Sequence, residues 1–224
     1  MQLYKQIFIL LNKEWLLEWR QRNTLNGLLL YVACAVFICY LGIGMKLEKI
    51  SPGIWNALFW IIILFASVNA VSKSFLLERK GLSIYMYTLV RPQAVILSKI
   101  IYNALLMLII ALVALIFYSL VLGIPVQNKS AFILTMVLGA VAISSVFTMI
   151  AAIAAKAENS FTLMAVLGIP VVIPLFLLVL RLSKNAIDGL SYSVSVQDFA
   201  MLIALNAIYV ALSVILFPFI GVNH

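Results

Sequence analysis

Six long apolar runs, separated by short polar stretches, dominate the pattern of hydrophobic and polar positions along this chain. Each run approaches or exceeds the roughly 20 residues that a helix needs to cross the hydrocarbon core of a bilayer. The runs are continuous rather than alternating, so they predict helices and exclude a β-barrel. The predicted fold class is therefore an all-α membrane protein, whose six transmembrane helices cover about residues 25–45, 54–72, 100–122, 131–155, 161–180 and 199–220.

The composition supports the same conclusion. Of the 224 residues, 66% are hydrophobic and only 10% are charged, with a mean hydropathy of +1.19. A soluble domain is nearer half apolar and a quarter charged, so lipid must solvate most of this surface. No internal repeat or low-complexity linker divides the sequence, and we therefore expect one membrane domain over residues 1–224.

Residues 1–24, before the first apolar run, predict an amphipathic helix lying in the membrane interface. Its apolar side chains recur every three to four residues and share one face, with Gln6, Lys13 and Arg20 on the opposite side. Two interpretations stay open, a simple membrane anchor or an elbow that senses the motion of a partner. The apolar face consists of Tyr4, Phe8, Leu11, Trp15 and Trp19.

The distribution of positive charge predicts the orientation in the membrane. With the N-terminus inside, ten of the 15 Lys and Arg residues lie on the cytoplasmic side and five on the other. This bias obeys the positive-inside rule and accounts for the net charge of +8 without nucleic acid. Both termini are then cytoplasmic. Several aromatic residues lie near span ends, where amphipathic rings prefer the headgroup level. They are Trp15, Trp19, Trp55, Tyr102 and Tyr118.

The segment 73–99, between the second and third spans, is the only long charged stretch between two spans. It is long enough for a surface helix in which Gly81 permits a bend and Pro92 ends the helix. One interpretation is a solvated surface helix that obeys the positive-inside rule. The other is a coupling helix, a lever seated in a groove of a soluble motor. The face that would form the apolar anchor holds Phe75, Leu82, Met86 and Leu89, and Glu78, Arg79 and Lys80 supply a charged first turn.

The chain lacks several chemical signatures. It has no GxxxxGK followed by Ser or Thr, and thus no P-loop for a nucleotide. Its only histidine is His224, which makes a histidine metal site or a Ser–His protease implausible. No Asp, Glu, Lys or Arg falls in the middle of a span, which argues against transport driven by protons or sodium.

Two features within the spans bear on packing. Pro170 and Pro174 in the fifth span remove helix hydrogen bonds and predict a kink. In the fourth span small residues repeat every four positions, which lets helix backbones approach closely. Packing is the preferred role of this repeat, and the alternative is that it lines a substrate path. Its members are Ala140, Ser144, Thr148 and Ala152.

The order of these features resembles the type-2 ABC exporter permeases, which have an N-terminal interfacial helix, six spans and a coupling helix between spans two and three. Within that group the chain resembles the haem exporter protein B family, CcmB, of cytochrome c maturation. The similarity covers almost the whole chain. It is carried by SPGIW at 51–55, F-x-x-E-x-x-G at 75–81, L-x-x-P at 89–92, ILSKIIYN at 96–103, GIPVVIP at 168–174 and FPF at 217–219.

The resemblance implies a non-catalytic permease subunit of an ABC transporter complex in the bacterial cell inner membrane. A separate ATPase subunit (CcmA) would bind ATP, and a haem-handling subunit (CcmC) with its small helper (CcmD) would serve a periplasmic haem chaperone (CcmE). The chain would pair with a second copy, bind no cofactor or metal itself and handle haem as a possible substrate. The ATPase contact would comprise Phe75, Glu78, Gly81, Leu82, Tyr85, Met86, Leu89 and Pro92.

Two other functions compete with this one. A stand-alone secondary transporter would work on an ion gradient without an ATPase, and the missing charge within the spans argues against it. A static scaffold would merely assemble the other subunits of a haem-delivery complex. An intramembrane enzyme is a distant further alternative, because no pair of nucleophile and base is present.

Overall fold

The computed structural model describes residues 3–21, 23–44, 50–76, 90–154 and 160–221. These ranges are mostly helical and contain no strand. Six of the helices in them, α2 to α7, are long and apolar enough to cross a membrane, which confirms the all-α membrane class. In chain order the helices are α1 (Leu3–Gln21), α2 (Asn23–Gly44), α3 (Pro52–Leu76), α4 (Pro92–Leu122), α5 (Lys129–Ala154), α6 (Ser160–Ile187) and α7 (Tyr192–Gly221).

Helix α5 is the central element of the bundle. It packs against α3, α4, α6 and α7, and most of its residues are buried. The small-residue repeat accounts for this position, because short side chains let four neighbouring helices approach one backbone. All four members of the repeat are buried, which confirms the packing role: Ala140, Ser144, Thr148 and Ala152.

An aromatic cluster fills the bundle near the start of α3. Trp55 and Tyr118 are 1% and 0% exposed, with their ring centroids 4.9 Å apart. They therefore lie inside the bundle rather than among headgroups, which corrects the expectation from their position near span ends. The reason is that backbone carbonyls satisfy their polar atoms. The indole Nε1 of Trp55 donates to the Gly123 carbonyl at 3.0 Å, and the Tyr118 hydroxyl donates to the Trp55 carbonyl at 3.0 Å.

Close contact between α3 and α5 depends on Gly139. A Cβ atom at this position would lie 2.6 Å from Cη2 of the fully buried Trp60 ring. Replacing Gly139 with alanine is expected to lower the free energy of unfolding by about 1–3 kcal/mol, because a rigid ring must shift in a packed core. Thermal unfolding in detergent measures this loss. The control is Gly42→Ala in α2, where a Cβ meets nothing within 4 Å; equal losses in both variants would contradict the prediction.

Helix α6 runs unbroken through Pro170 and Pro174. Each proline leaves a carbonyl of the preceding turn without its helical donor. The carbonyls concerned are those of Val166 and Pro170. The hydroxyl of Tyr209, on α7, donates to the adjacent Val171 carbonyl at 3.1 Å. The neighbouring helix thus contributes a hydrogen bond where the helix is weakest, as is usual for prolines within membrane helices.

Three helices extend beyond the apolar runs that predicted them. Helix α4 begins at Pro92, α6 continues to Ile187 and α7 begins at Tyr192. The added turns of α6 and α7 are more polar than the predicted runs, whereas those of α4 include the buried Ala94, Val95 and Ile96. Contacts between helices hold these turns in place. One such contact is the ion pair between Arg181 and Asp198, at 3.3 Å, which joins the end of α6 to the start of α7.

Candidate functional site

The predicted coupling segment connects the end of α3 to the start of α4. Its residues 77–89, six of which belong to the predicted ATPase contact, lie outside the described ranges. The contact role of all eight predicted residues stays a prediction. The other two residues flank the segment: Phe75 lies half-buried in the last turn of α3, and Pro92 begins α4. Arg91 precedes the proline in an extended conformation, as the proline ring requires. The six residues are Glu78, Gly81, Leu82, Tyr85, Met86 and Leu89.

The two ends of this segment are joined by Lys99, which is only 1% exposed. Its ammonium donates to the Ser74 carbonyl at 3.0 Å and lies 4.6 Å from the centre of the Phe75 ring. A carbonyl in the last turn of a helix has no intrahelical partner and carries partial negative charge, so it attracts a cation. Lys99 therefore attaches the second turn of α4 to the last turn of α3.

Helix α1 places two carboxylates beside Lys99. They belong to Glu14 and Glu18, which are one helical turn apart. An oxygen of Glu14 lies 4.0 Å from the Lys99 ammonium and 3.2 Å from that of Lys13. Glu18 is buried and accepts the Leu25 backbone N–H at 2.8 Å. The first N–H groups of a helix lack partners and carry partial positive charge, so Glu18 caps α2 from the preceding helix.

The hydroxyl of Tyr102, one turn beyond Lys99 on α4, donates to the other oxygen of Glu18 at 3.4 Å. We call this arrangement the Lys99 cluster. Its chemistry is structural, because two acids, one buried cation, a helix end and an aromatic ring satisfy one another where α1 to α4 converge. The cluster consists of Glu14, Glu18, Ser74, Phe75, Lys99 and Tyr102.

From the cluster, polar contacts continue into the core. Asn103 follows Tyr102 on α4 and donates through Nδ2 to the Thr148 hydroxyl at 3.0 Å. That hydroxyl donates in turn to the Ser144 carbonyl at 2.7 Å. The start of α4 is therefore attached to the central helix α5 as well as to α1 and α3.

The structure only partly agrees with the predicted faces of α1. Tyr4, Phe8, Trp15 and Trp19 are exposed, as expected of a face that contacts lipid. The rest of the helix surface is not simply polar and solvated, because Leu10 and Glu18 are buried. Sequence reasoning missed the acids of α1 and the burial of Lys99. The available signal was two Glu four residues apart in a chain with only seven acidic residues.

A shallow cavity of about 660 Å³ lies at the other end of α4 and α5. Backbone bonds shape it, since the N–H of Asn128 donates to the Ala186 carbonyl at 2.9 Å. The turn at Gly189 has a φ of 76°, which favours glycine. The lining residues are Gln127, Asn128, Lys129, Ser130 and Gly189. Within the described ranges, no group of three or more His, Cys, Asp or Glu side chains could hold a metal ion.

The chain is similar to a known protein family from α1 to the last helix. A family model described as CcmB protein matches residues 5–220, which include α1, the coupling segment and all six apolar helices apart from the very end of the last. No curated protein matches the chain.

Proposed function

This chain belongs to the CcmB family, whose role is in haem export and cytochrome c maturation, and we propose that it acts as the permease subunit of an ABC transporter. ATP would be bound and hydrolysed by a separate, CcmA-like ATPase. The chain would convert that hydrolysis into motion of its membrane helices, through the segment between α3 and α4. This motion would either move haem or release the loaded chaperone.

The observation that carries this proposal is the contact of Lys99 with the end of α3. A force applied to residues 77–89 reaches the membrane through α3 and α4. Because Lys99 holds the Ser74 carbonyl at 3.0 Å, the two helices receive that force together. Asn103 and Thr148 then pass it to α5, at the centre of the bundle.

The proposal includes an orientation and a set of partners. Residues 77–89 and both termini would face the cytoplasm of a bacterial cell, with the chain in the inner membrane. Two copies would place twelve spans above two ATPase subunits. A CcmC-like subunit with its small CcmD-like helper would present haem to a periplasmic CcmE-like chaperone.

The test changes the apolar face of the coupling segment. We expect the triple variant Leu82→Asp, Met86→Asp and Leu89→Asp to lose most of the ATPase that co-purifies with the wild-type chain. Anchors of this kind bind through buried apolar side chains, and a carboxylate in such a pocket is unpaired. Affinity purification from membranes measures the loss, and gel filtration checks that the variant is folded.

The matched control adds the same three charges to the other side of the predicted helix, at Ile84, Tyr87 and Thr88. This variant should retain the ATPase. Wild-type recovery of the ATPase with the first triple variant would overturn the proposal. Cytochrome c maturation with an ATPase unable to hydrolyse ATP would favour a scaffold, and ion-driven transport by the chain alone in liposomes would favour a secondary transporter.

A further inference from the structure

We propose that α1 moves together with the helices that flank the coupling segment. Lys99 and Glu18 are the positioning residues that attach α1 to those helices. In this proposal α1, the end of α3 and the start of α4 move as a single unit when the ATPase acts on residues 77–89. It rests on the proposed function for the source of the motion, while the rigidity of the unit is a property of this chain alone.

Apolar contacts do not fix α1 in place. Leu10 packs against the first turns of α4, at Val95 and Ile96 among others. In a membrane, lipid tails offer a leucine side chain contacts of the same kind, so such packing resists sliding or separation only weakly. The position of α1 must therefore depend on contacts that lipid does not replace.

The Lys99 cluster supplies those contacts. Displacing α4 by one helical turn, about 5.4 Å, would separate the Lys99 ammonium from the Ser74 carbonyl and from Glu14. Lys99 is only 1% exposed, so water could not readily replace these partners. Taking a buried charge away from its partners is strongly unfavourable, which opposes any motion of α4 independent of α1 and α3.

Glu18 extends the unit to the first span. Its carboxylate accepts the Leu25 N–H at 2.8 Å and the Tyr102 hydroxyl at 3.4 Å, so it contacts α2 and α4 at once. A displacement of α4 is thus passed to the start of α2 through one side chain. This assigns α1 the role of an elbow rather than a passive anchor.

The rigidity of the unit is tested by distance measurements in nanodiscs, on the chain with and without its ATPase. Cys34 and Cys39 are replaced with alanine, and spin labels are placed at Asn12 of α1 and Gln93 of α4, both exposed. We expect one narrow distance distribution that ATP leaves unchanged. Lys99→Met should broaden it with or without the ATPase. Lys5→Met, which changes an exposed lysine on α1, should not.

The outcomes separate the two proposals. An Asn12–Gln93 distance that changes with ATP in the wild-type complex, or a narrow distribution in Lys99→Met, would overturn the single unit. A second label pair, at Gln93 and Gln197, reports motion between the ends of the bundle. If ATP changes neither distance, the proposed function fails. The width of the Asn12–Gln93 distribution in the isolated Lys99→Met chain then still tests whether Lys99 makes the unit rigid.

A coupling measurement distinguishes positioning from a merely structural role. We expect Lys99→Met and Glu18→Gln to reduce cytochrome c maturation about tenfold or more, the effect of losing a hydrogen bond to a charged group. The ATPase rate of the purified complex should stay near wild type. Lys99→Arg, which keeps the charge, should restore part of the maturation. A folded Lys99→Met complex with wild-type maturation would overturn the assignment, and Glu18→Gln provides the same test should Lys99→Met not accumulate.

Discussion

Replacing Trp60 with alanine is expected to lower the free energy of unfolding by about 3–5 kcal/mol, the cost of a large cavity in a packed core. The indole is fully buried, lies against Gly139 of α5 and meets the Phe59 ring edge-on, with centroids 5.5 Å apart. Lipid tails cannot fill the vacated space, because α3, α5 and α6 surround it. Loss of helical circular dichroism during thermal or SDS unfolding in micelles measures the change.

Two matched variants separate ring packing from the other roles of tryptophan. Trp60→Phe keeps most of the ring but loses the 2.9 Å hydrogen bond from Nε1 to the Ser183 hydroxyl, so a loss of about 1 kcal/mol is expected. Trp15→Ala removes an indole that is 42% exposed on α1, and it should change stability little. Equal losses for Trp60→Ala and Trp15→Ala would show that burial in the bundle is not what stabilises Trp60.

The fold class could be predicted from the sequence because a bilayer leaves few choices. A backbone in hydrocarbon must satisfy its own hydrogen bonds, so an apolar run of sufficient length is a helix. The repeat of Ala140, Ser144, Thr148 and Ala152 also lies in the part of α5 that is buried on nearly all sides. The ends of the helices were less predictable. Hydropathy falls where side chains become polar, whereas α4 begins at Pro92, well before its apolar run.

The orientation of aromatic residues was not predictable from the pattern. An aromatic residue near the end of an apolar run gives the same sequence pattern whether its ring faces headgroups or a neighbouring helix. Trp55 faces inward because the Gly123 carbonyl, 68 residues away, accepts its N–H at 3.0 Å. The spacing of residues around Trp55 does not predict a hydrogen-bond partner so far away in the sequence.

The predicted ATPase contact stays a prediction, and the contacts around it were not predictable. Phe75 and Pro92 were expected within the coupling segment, whereas the structure places Phe75 in the last turn of α3 and Pro92 at the start of α4. Lys99 was interpreted as one of several interfacial cations, yet it is buried by Phe75 of α3 and Glu14 of α1. Its burial requires α1 to fold back along α4, and nothing in the periodicity of either helix specifies that pairing.

The contacts at the two ends of α3 explain how one segment could move the bundle. At one end Lys99 holds the Ser74 carbonyl. At the other, Nδ2 of Asn56 donates to the Leu180 carbonyl of α6 at 3.0 Å, and Tyr118 of α4 donates to the Trp55 carbonyl. Because α3 and α4 are attached at both ends, a push on the segment between them should tilt the pair rather than slide one helix past the other.

The strongest test of the Lys99 cluster is reversal of its charge. Lys99→Glu places a third carboxylate beside Glu14 and Glu18 and removes the donor to the Ser74 carbonyl. We expect a loss of about 3–5 kcal/mol, as when a buried ion pair loses one partner, seen as loss of folded, monodisperse protein in gel filtration. Lys5→Glu, an exposed change of the same charge on α1, should leave the yield unchanged.

Adding Glu14→Lys to Lys99→Glu restores opposite charges across α1 and α4 and should recover part of the folded protein. Recovery should stay incomplete, because a carboxylate at position 99 neither donates to the Ser74 carbonyl nor contacts the Phe75 ring as a cation does. A double variant no better than Lys99→Glu alone would mean that the 4.0 Å pairing of Glu14 with Lys99 carries no energy. The connection between α1 and α4 would then depend on Glu18 and Tyr102, and Glu18→Gln would have to show the larger loss.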